Sequence, residues 1–138
     1  MRHLDPMQTW QFLRANPGAL WIDCRSEAEF FLVGHPIVER EGKDPWRPEL
    51  VCWADELHAE PNPDFIDQVL RLGTDRARPV VLTCRSGRRS VSAGEALEQE
   101  GFTEVINVLE GFEGPLDDRF RRGTVAGWRF RGLPWEQL

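Results

Sequence analysis

The 138-residue chain has no apolar run approaching the length of a membrane span, so no integral membrane helix is expected. Its opening, Met1-Arg2-His3-Leu4-Asp5-Pro6, lacks the apolar core of a secretion signal. Cysteine is scarce. Cys24, Cys52 and Cys84 are an odd number at irregular spacing, which speaks against a disulfide framework and for a reducing, cytoplasmic location. Positive charge is in deficit as well, and a net charge of −6 argues against general nucleic-acid affinity. What is present is 41% hydrophobic and 29% charged residues, the proportions of a soluble globular protein, in a chain long enough for one domain with a substantial core.

One stretch reverses the acidic balance. Val80-Val81-Leu82-Thr83 has strong strand character and runs into Cys84. Arg85-Ser86-Gly87-Arg88-Arg89 follow, and a helical pattern then extends from Ser90 to about Glu100. The loop carries +3 with no acid, so the rest of the chain sums to −9 and the positive field is local. A thiolate, not a thiol, is the nucleophilic form of cysteine. Unpaired N–H groups at a helix start, an inward-facing loop backbone and arginines all favour that anion. A lowering of its pKa by ~2 units corresponds to about 2.7 kcal/mol. A buried core cysteine at a strand end is the plainer alternative, but it gives no reason to concentrate arginine and glycine there.

The remaining chain alternates helical and strand patterns. Asp5-Pro6 reads as an N-cap and first helical residue, with Trp10 and Leu13 on the apolar stripe and Asn16-Pro17-Gly18 as the stop. Ala19–Ile22 reads as a buried strand. Ser26 and Glu29 form a capping-box pattern for a short helix from Glu27 to about Leu32. Leu50–Trp53 reads as a short strand. A helix with stripe Phe65, Ile66, Val69, Leu70 and Leu72 follows, and Val105–Val108 is a further buried strand. The class is therefore α/β with a mostly parallel central sheet and helices on both faces, and a reactive residue at a strand's carboxyl end sits where such sheets place their sites.

The loop Cys84-Arg85-Ser86-Gly87-Arg88-Arg89-Ser90 resembles the active-site loop of the rhodanese family of sulfurtransferases. The six residues from Cys84 to Arg89, C-x4-R, match the family's loop, whereas related cell-cycle phosphatases and arsenate reductases have a loop one residue longer. Asp23, Arg25, Glu29 and Phe30 fit the family's D-x-R-x-x-x-E-[FY] pattern, and Gly34-His35-Pro36 stands at its G-H-I, with Ile37 shifted by one. The tail Leu109-Glu110-Gly111-Phe112 resembles the family's L-x-G-G, with Phe112 in place of the second glycine, and Trp128 and Gly132-Leu133-Pro134 complete the pattern. The segments near 38–48 and 115–127 are unmatched insertions within a single domain spanning 1–138.

The resemblance implies a sulfurtransferase that moves a sulfane sulfur from a donor such as thiosulfate to a thiophilic acceptor (cyanide, a thiol or a carrier protein) through a Cys84 persulfide. Cys84 is the expected catalytic residue. Arg85, Ser86, Gly87, Arg88, Arg89 and Ser90 are expected to bind substrate, with Arg85 and Arg88 on the donor's anionic group and Arg89 bracing the loop. Asp23 and Arg25 are expected to be structural, and His35 to be a hydrogen-bonded structural histidine rather than a base. Cys24 and Cys52 read as small apolar strand residues, with resolution of a Cys84 intermediate as the alternative. From Arg119 to Trp135 there are five arginines and no acid, read as a solvated surface before a docking or steering patch. No metal, organic cofactor, nucleic acid or membrane partner is expected. The competing function is a partner-dependent sulfur-carrier or redox-sensing module with little small-molecule turnover.

Overall fold

The apolar runs Leu20–Asp23, Val80–Thr83 and Val105–Val108 are buried along their whole length. Strands of that kind belong in a parallel sheet covered on both sides. In the computed structural model, which describes residues 1–58 and 60–138, the elements in chain order are β1 (Arg2–Leu4), α1 (Pro6–Ala15), β2 (Leu20–Asp23), β3 (His35–Pro36), β4 (Glu49–Leu50), α2 (Phe65–Leu72), β5 (Val80–Thr83), α3 (Arg89–Gln99), β6 (Val105–Val108) and β7 (Trp135–Glu136). The central sheet has the order β1-β6-β5-β2-β4, and every ladder in it is parallel.

Alternation along the strands divides the core in two. Leu20, Ile22, Val80, Leu82 and Val105 point to one face and pack with Phe65 and Val69 of α2 and Ala93 and Leu97 of α3. Trp21, Val81, Ile106 and Val108 point to the other and pack with Leu13 of α1 and with Phe112, Trp128 and Leu133 from the chain's last third. Helices thus cover both faces, as expected, and the tail completes the second face.

Local chemistry sets the element ends. Asp5 caps α1 by accepting the Gln8 N–H (2.7 Å), while the Gln8 side chain accepts the Asp5 N–H (3.0 Å). The Ser26–Glu29 capping box also forms, each side chain accepting the other residue's N–H at 3.2 Å. The segment it opens differs from the expected α-helix: Glu29–Val33 is a π-helical turn, closed by the Gly34 N–H on the Glu29 carbonyl (3.1 Å). Gly34 has φ +115°, and a Cβ there would come within 3.0 Å of the Trp135 ring, so the turn ends where the β3–β7 pair begins. The strand expected at Leu50–Trp53 begins one residue earlier, at Glu49. Beyond it the Val51 and Trp53 N–H groups still bond the Asp23 and Cys24 carbonyls (3.0 and 2.9 Å).

The segments 38–48 and 115–127 each leave and rejoin the body at a narrow neck. Val38 and Trp46 exchange backbone hydrogen bonds (2.9 and 2.8 Å), and Trp46 sets its ring edge-on to Trp21. Residues 115–127 leave at Gly114 and return at Gly127, where the backbones touch: a Cβ on Gly114 would lie 2.2 Å from the Ala126 carbonyl oxygen.

Candidate active site

Cys84 follows β5 directly and α3 starts at Arg89, so the reactive loop is the crossing from the strand's carboxyl end to a helix N-terminus. The loop's own carbonyls are turned outward. The Phe112 N–H bonds the Cys84 carbonyl (2.8 Å), and the Glu113 and Gly114 N–H groups bond that of Arg85 (2.9 and 3.1 Å). This leaves loop N–H groups for the sulfur: the Gly87 N–H donates to Cys84 Sγ at 3.1 Å, with Gly87 at φ +95°, a conformation that glycine adopts without strain. Ser90 Oγ lies 3.2 Å from the sulfur.

Cys84 is only 1% exposed, and burial alone raises a thiol's pKa. Its surroundings reverse that. The Cys24 thiol beside it, the Ser90 hydroxyl and the N–H groups of Ser90 and Gly87 together outweigh burial and bring Cys84 to about 5. Cys24 takes the opposite course: its bond to Cys84 and its own burial push it well above the usual thiol range. The pair therefore settles as one thiolate and one thiol.

The sulfur lies at the floor of a cleft of about 430 Å³. Arg85, Ser86, Arg88 and Arg89 line it from the loop, Ser92 from α3, and Trp53 to His58 from the facing segment. Asp55 shapes that segment by accepting the Leu57 and His58 N–H groups and lying 2.8 Å from the His58 ring. Arg88 is exposed and Arg85 half-buried. The Arg85 Nε is shielded from solvent with no hydrogen-bond partner among the described residues. Arg89 is already engaged: it forms a two-pronged pair with Glu29 (2.8 and 2.7 Å) and also donates to the Ala54 carbonyl (2.8 Å). Of the expected substrate-binding residues, Arg85, Ser86 and Arg88 thus face the cleft freely, Gly87 and Ser90 meet the sulfur, and Arg89 ties the loop to the π-helical turn and the cleft's far wall.

Asp23 and Arg25 do not line the cleft. They pair with both prongs (2.9 and 2.7 Å), both fully buried, and Arg25 also donates to the Gly34 carbonyl and lies over the Phe112 ring. Phe112, where the pattern has glycine, thus supplies a platform for that guanidinium. His35 stacks on Phe30, with its ring nitrogens 2.9 Å from the Phe30 carbonyl and the Glu136 carboxylate. It is a structural histidine outside the cleft.

Several participants escaped the sequence reading. Asn107, inside the apolar run of β6, is 1% exposed, and its Oδ1 accepts from Ser90 Oγ. Its amide nitrogen lies 3.1 Å from His3 Nδ1 on β1. A hydroxyl has a single proton. With Cys84 as thiol, Ser90 donates to Asn107; with Cys84 as thiolate, the hydroxyl turns to the sulfur and a reversed Asn107 amide would donate to Ser90. The signal was one polar residue in a strand otherwise built of Val and Ile. Glu29 was legible as a capping residue but not as the partner of Arg89, because the two are 60 positions apart.

An α/β sheet with a buried thiolate in a strand-to-helix loop defines the class. A family model described as "Rhodanese-like domain" matches residues 7–116, and the chain belongs to that family. The crystal structure of Rv0390 from M. tuberculosis is similar over its whole length, with 40% identity and a TM-score of 0.84, covering 100% of this chain and 98% of that one. The polysulfide-sulfur transferase homodimer of Wolinella succinogenes shares the fold at 22% identity and a TM-score of 0.65, covering 100% of this chain and 80% of that one. The protein RC0915 of Rickettsia conorii is 28% identical over 137 residues, 99% of this chain and 98% of its own.

Proposed function

We propose that the chain is a sulfurtransferase in which Cys84 carries a sulfane sulfur between a donor such as thiosulfate and a thiophilic acceptor. The observation that carries this is the loop itself: a lowered-pKa thiolate held by the Gly87 N–H and faced by Ser90, in a C-x4-R frame. Membership of the rhodanese-like family supports it. In the first half-reaction the thiolate attacks the donor's outer sulfur, that sulfur's bond to the donor breaks, and sulfite leaves with the electron pair. The acceptor then attacks the outer sulfur of the persulfide and restores the thiolate. Arg85 and Arg88 hold the donor's anionic end by charge-assisted hydrogen bonds. The loop N–H groups stabilise the anionic sulfur without rearranging. Arg89, bound to Glu29, braces the loop. No step calls for a metal or an organic cofactor. The free cysteines suit a reducing, cytoplasmic setting, and we take 1–138 as one domain with 38–48 and 115–127 as additions to the family frame.

Covalent transfer in two halves predicts ping-pong kinetics. Initial rates with varied thiosulfate at several cyanide concentrations should give parallel double-reciprocal lines. Lines that converge would show both substrates bound together and would remove the persulfide mechanism.

A second reading, a carrier that takes its sulfur from a protein partner, is favoured by the cleft's rim. Leu57 on the rim is 83% exposed, and Leu32, in an adjoining depression that Arg85 also lines, is 68% exposed. Turnover with small donors would then be slow although the persulfide still forms on Cys84.

A further inference from the structure

The parallel ladder between β2 and β5 is in register from Leu20 opposite Val80 to Asp23 opposite Thr83. The Cys24 N–H continues it by bonding the Thr83 carbonyl (2.9 Å), so the next pair in register is Cys24 and Cys84. Both side chains point to the same face, in the same buried cluster as Ile22 and Leu82. Adjacent strands lie about 4.8 Å apart, inside the span of about 4.4–6.8 Å that a disulfide's Cα atoms occupy. The Cys24 thiol is fully buried and donates to the Thr83 carbonyl at 3.3 Å, with the Cys84 sulfur competing for the same proton. Cys52 is not so placed: Val51, not Cys52, is the residue of that edge packed in this cluster.

We propose that Cys24 is the resolving thiol of this site, closing a reversible disulfide with Cys84 when a hydroperoxide oxidises the nucleophile. The Cys84 thiolate attacks one peroxide oxygen, the O–O bond breaks, and the second oxygen leaves as water or alcohol after taking up a proton. Cys84 is then a sulfenic acid, oxidised by two electrons. Cys24 attacks the Cys84 sulfur, the S–O bond breaks, the S–S bond forms, and the Cys24 proton departs with the hydroxyl as water. A dithiol reductant reverses the change. Exposed thiolates left at the sulfenic stage proceed to sulfinic and sulfonic acids, which thiols do not restore. A buried thiol on the adjacent strand, in register with Cys84, intercepts that loss. The step needs Cys84 as thiolate but no sulfur donor, so it goes beyond sulfur transfer.

The test treats the full chain with several equivalents of hydrogen peroxide per chain and reads intact mass and a non-reducing peptide map, before and after dithiothreitol. The wild type should lose two hydrogen atoms and yield a cross-linked peptide joining Cys24 to Cys84. Cys52→Ser should do the same, and dithiothreitol should reverse both. Cys24→Ala should instead gain two or three oxygen atoms, which dithiothreitol does not remove. A wild type that gains oxygen without the cross-link, or that links Cys84 to Cys52, would overturn the proposal, as would the loss of two hydrogens in Cys24→Ala. The decisive cross-link is read in the wild type and needs no variant to fold. It is also read by mass alone, so failure of sulfur transfer and failure of this proposal are separate results.

Discussion

At the scale of single residues, Cys84 should be a poor nucleophile by burial and is a good one by its neighbours. At 1% exposure an isolated thiol would hold its proton above the usual range. The Cys24 thiol, the Ser90 hydroxyl and two N–H groups bring it to about 5 instead. The sign is direct: the thiolate is present above that value and lost as pH falls through it. Alkylation by iodoacetamide should therefore rise with pH around 5 and be level by neutrality. A hydrogen bond to a charged group contributes about 1.5–3 kcal/mol, and one pKa unit is about 1.4 kcal/mol. Ser90→Ala should shift the alkylation profile up by about one to two units, and an unmoved profile would show that the hydroxyl does not donate to the sulfur. Cys84 and its loop were legible in the sequence because arginine and glycine crowd a strand end. Which of Cys24 and Cys52 lies beside it was not, because Cys24 and Cys84 meet only through the register of β2 on β5. Asn107 was hidden for the same reason: its partners Ser90 and His3 come from two other elements.

At the scale of elements, the reactive loop is held from behind by the turn after β6. Gly111 has φ +63°, and a Cβ there would lie 2.5 Å from the Arg85 carbonyl carbon and 2.6 Å from the Cys84 carbonyl oxygen. Gly111→Ala should push the loop out of shape and break the outward bonds that free its N–H groups. We expect sulfur transfer and Cys84 alkylation at pH 7 to fall at least ~10-fold, the effect of about 1.4 kcal/mol, while circular dichroism keeps its native form. Full activity in that variant would show that the loop does not depend on this support. The sequence disclosed α1 through Asp5-Pro6, α3 through the stripe after Ser90, and β2, β5 and β6 through their unbroken apolar runs. It did not disclose β1, whose Arg2-His3-Leu4 has no apolar alternation and is a strand only because β6 offers it an edge. The π-helical turn was read as α because its capping box is genuine. What diverts it is Gly34, pressed against Trp135 more than a hundred positions later.

At the scale of the whole molecule, the family match ends at residue 116 but the core does not. Trp128 is fully buried against the second face of the sheet, its indole N–H donating to the Pro134 carbonyl (2.7 Å), and its ring lies beside Trp21. Trp128→Ala should cost about 3–5 kcal/mol, seen as a lower urea midpoint, and a midpoint unchanged from wild type would show that the tail is not part of the core. The parallel sheet with helices on both faces was legible from the alternation of patterns, whereas the tail's share in the core was not, because Phe112, Trp128 and Leu133 are far apart in the chain and meet only on the sheet. The proposed transfer requires Cys84 to accept a sulfur. The most direct measurement is intact mass after incubation with thiosulfate, on wild type and on Cys84→Ser. The wild type should gain one sulfur atom, removed by dithiothreitol and absent from the variant. An adduct that persists on Cys84→Ser would contradict it, because the accepting sulfur would then belong to Cys24 or Cys52.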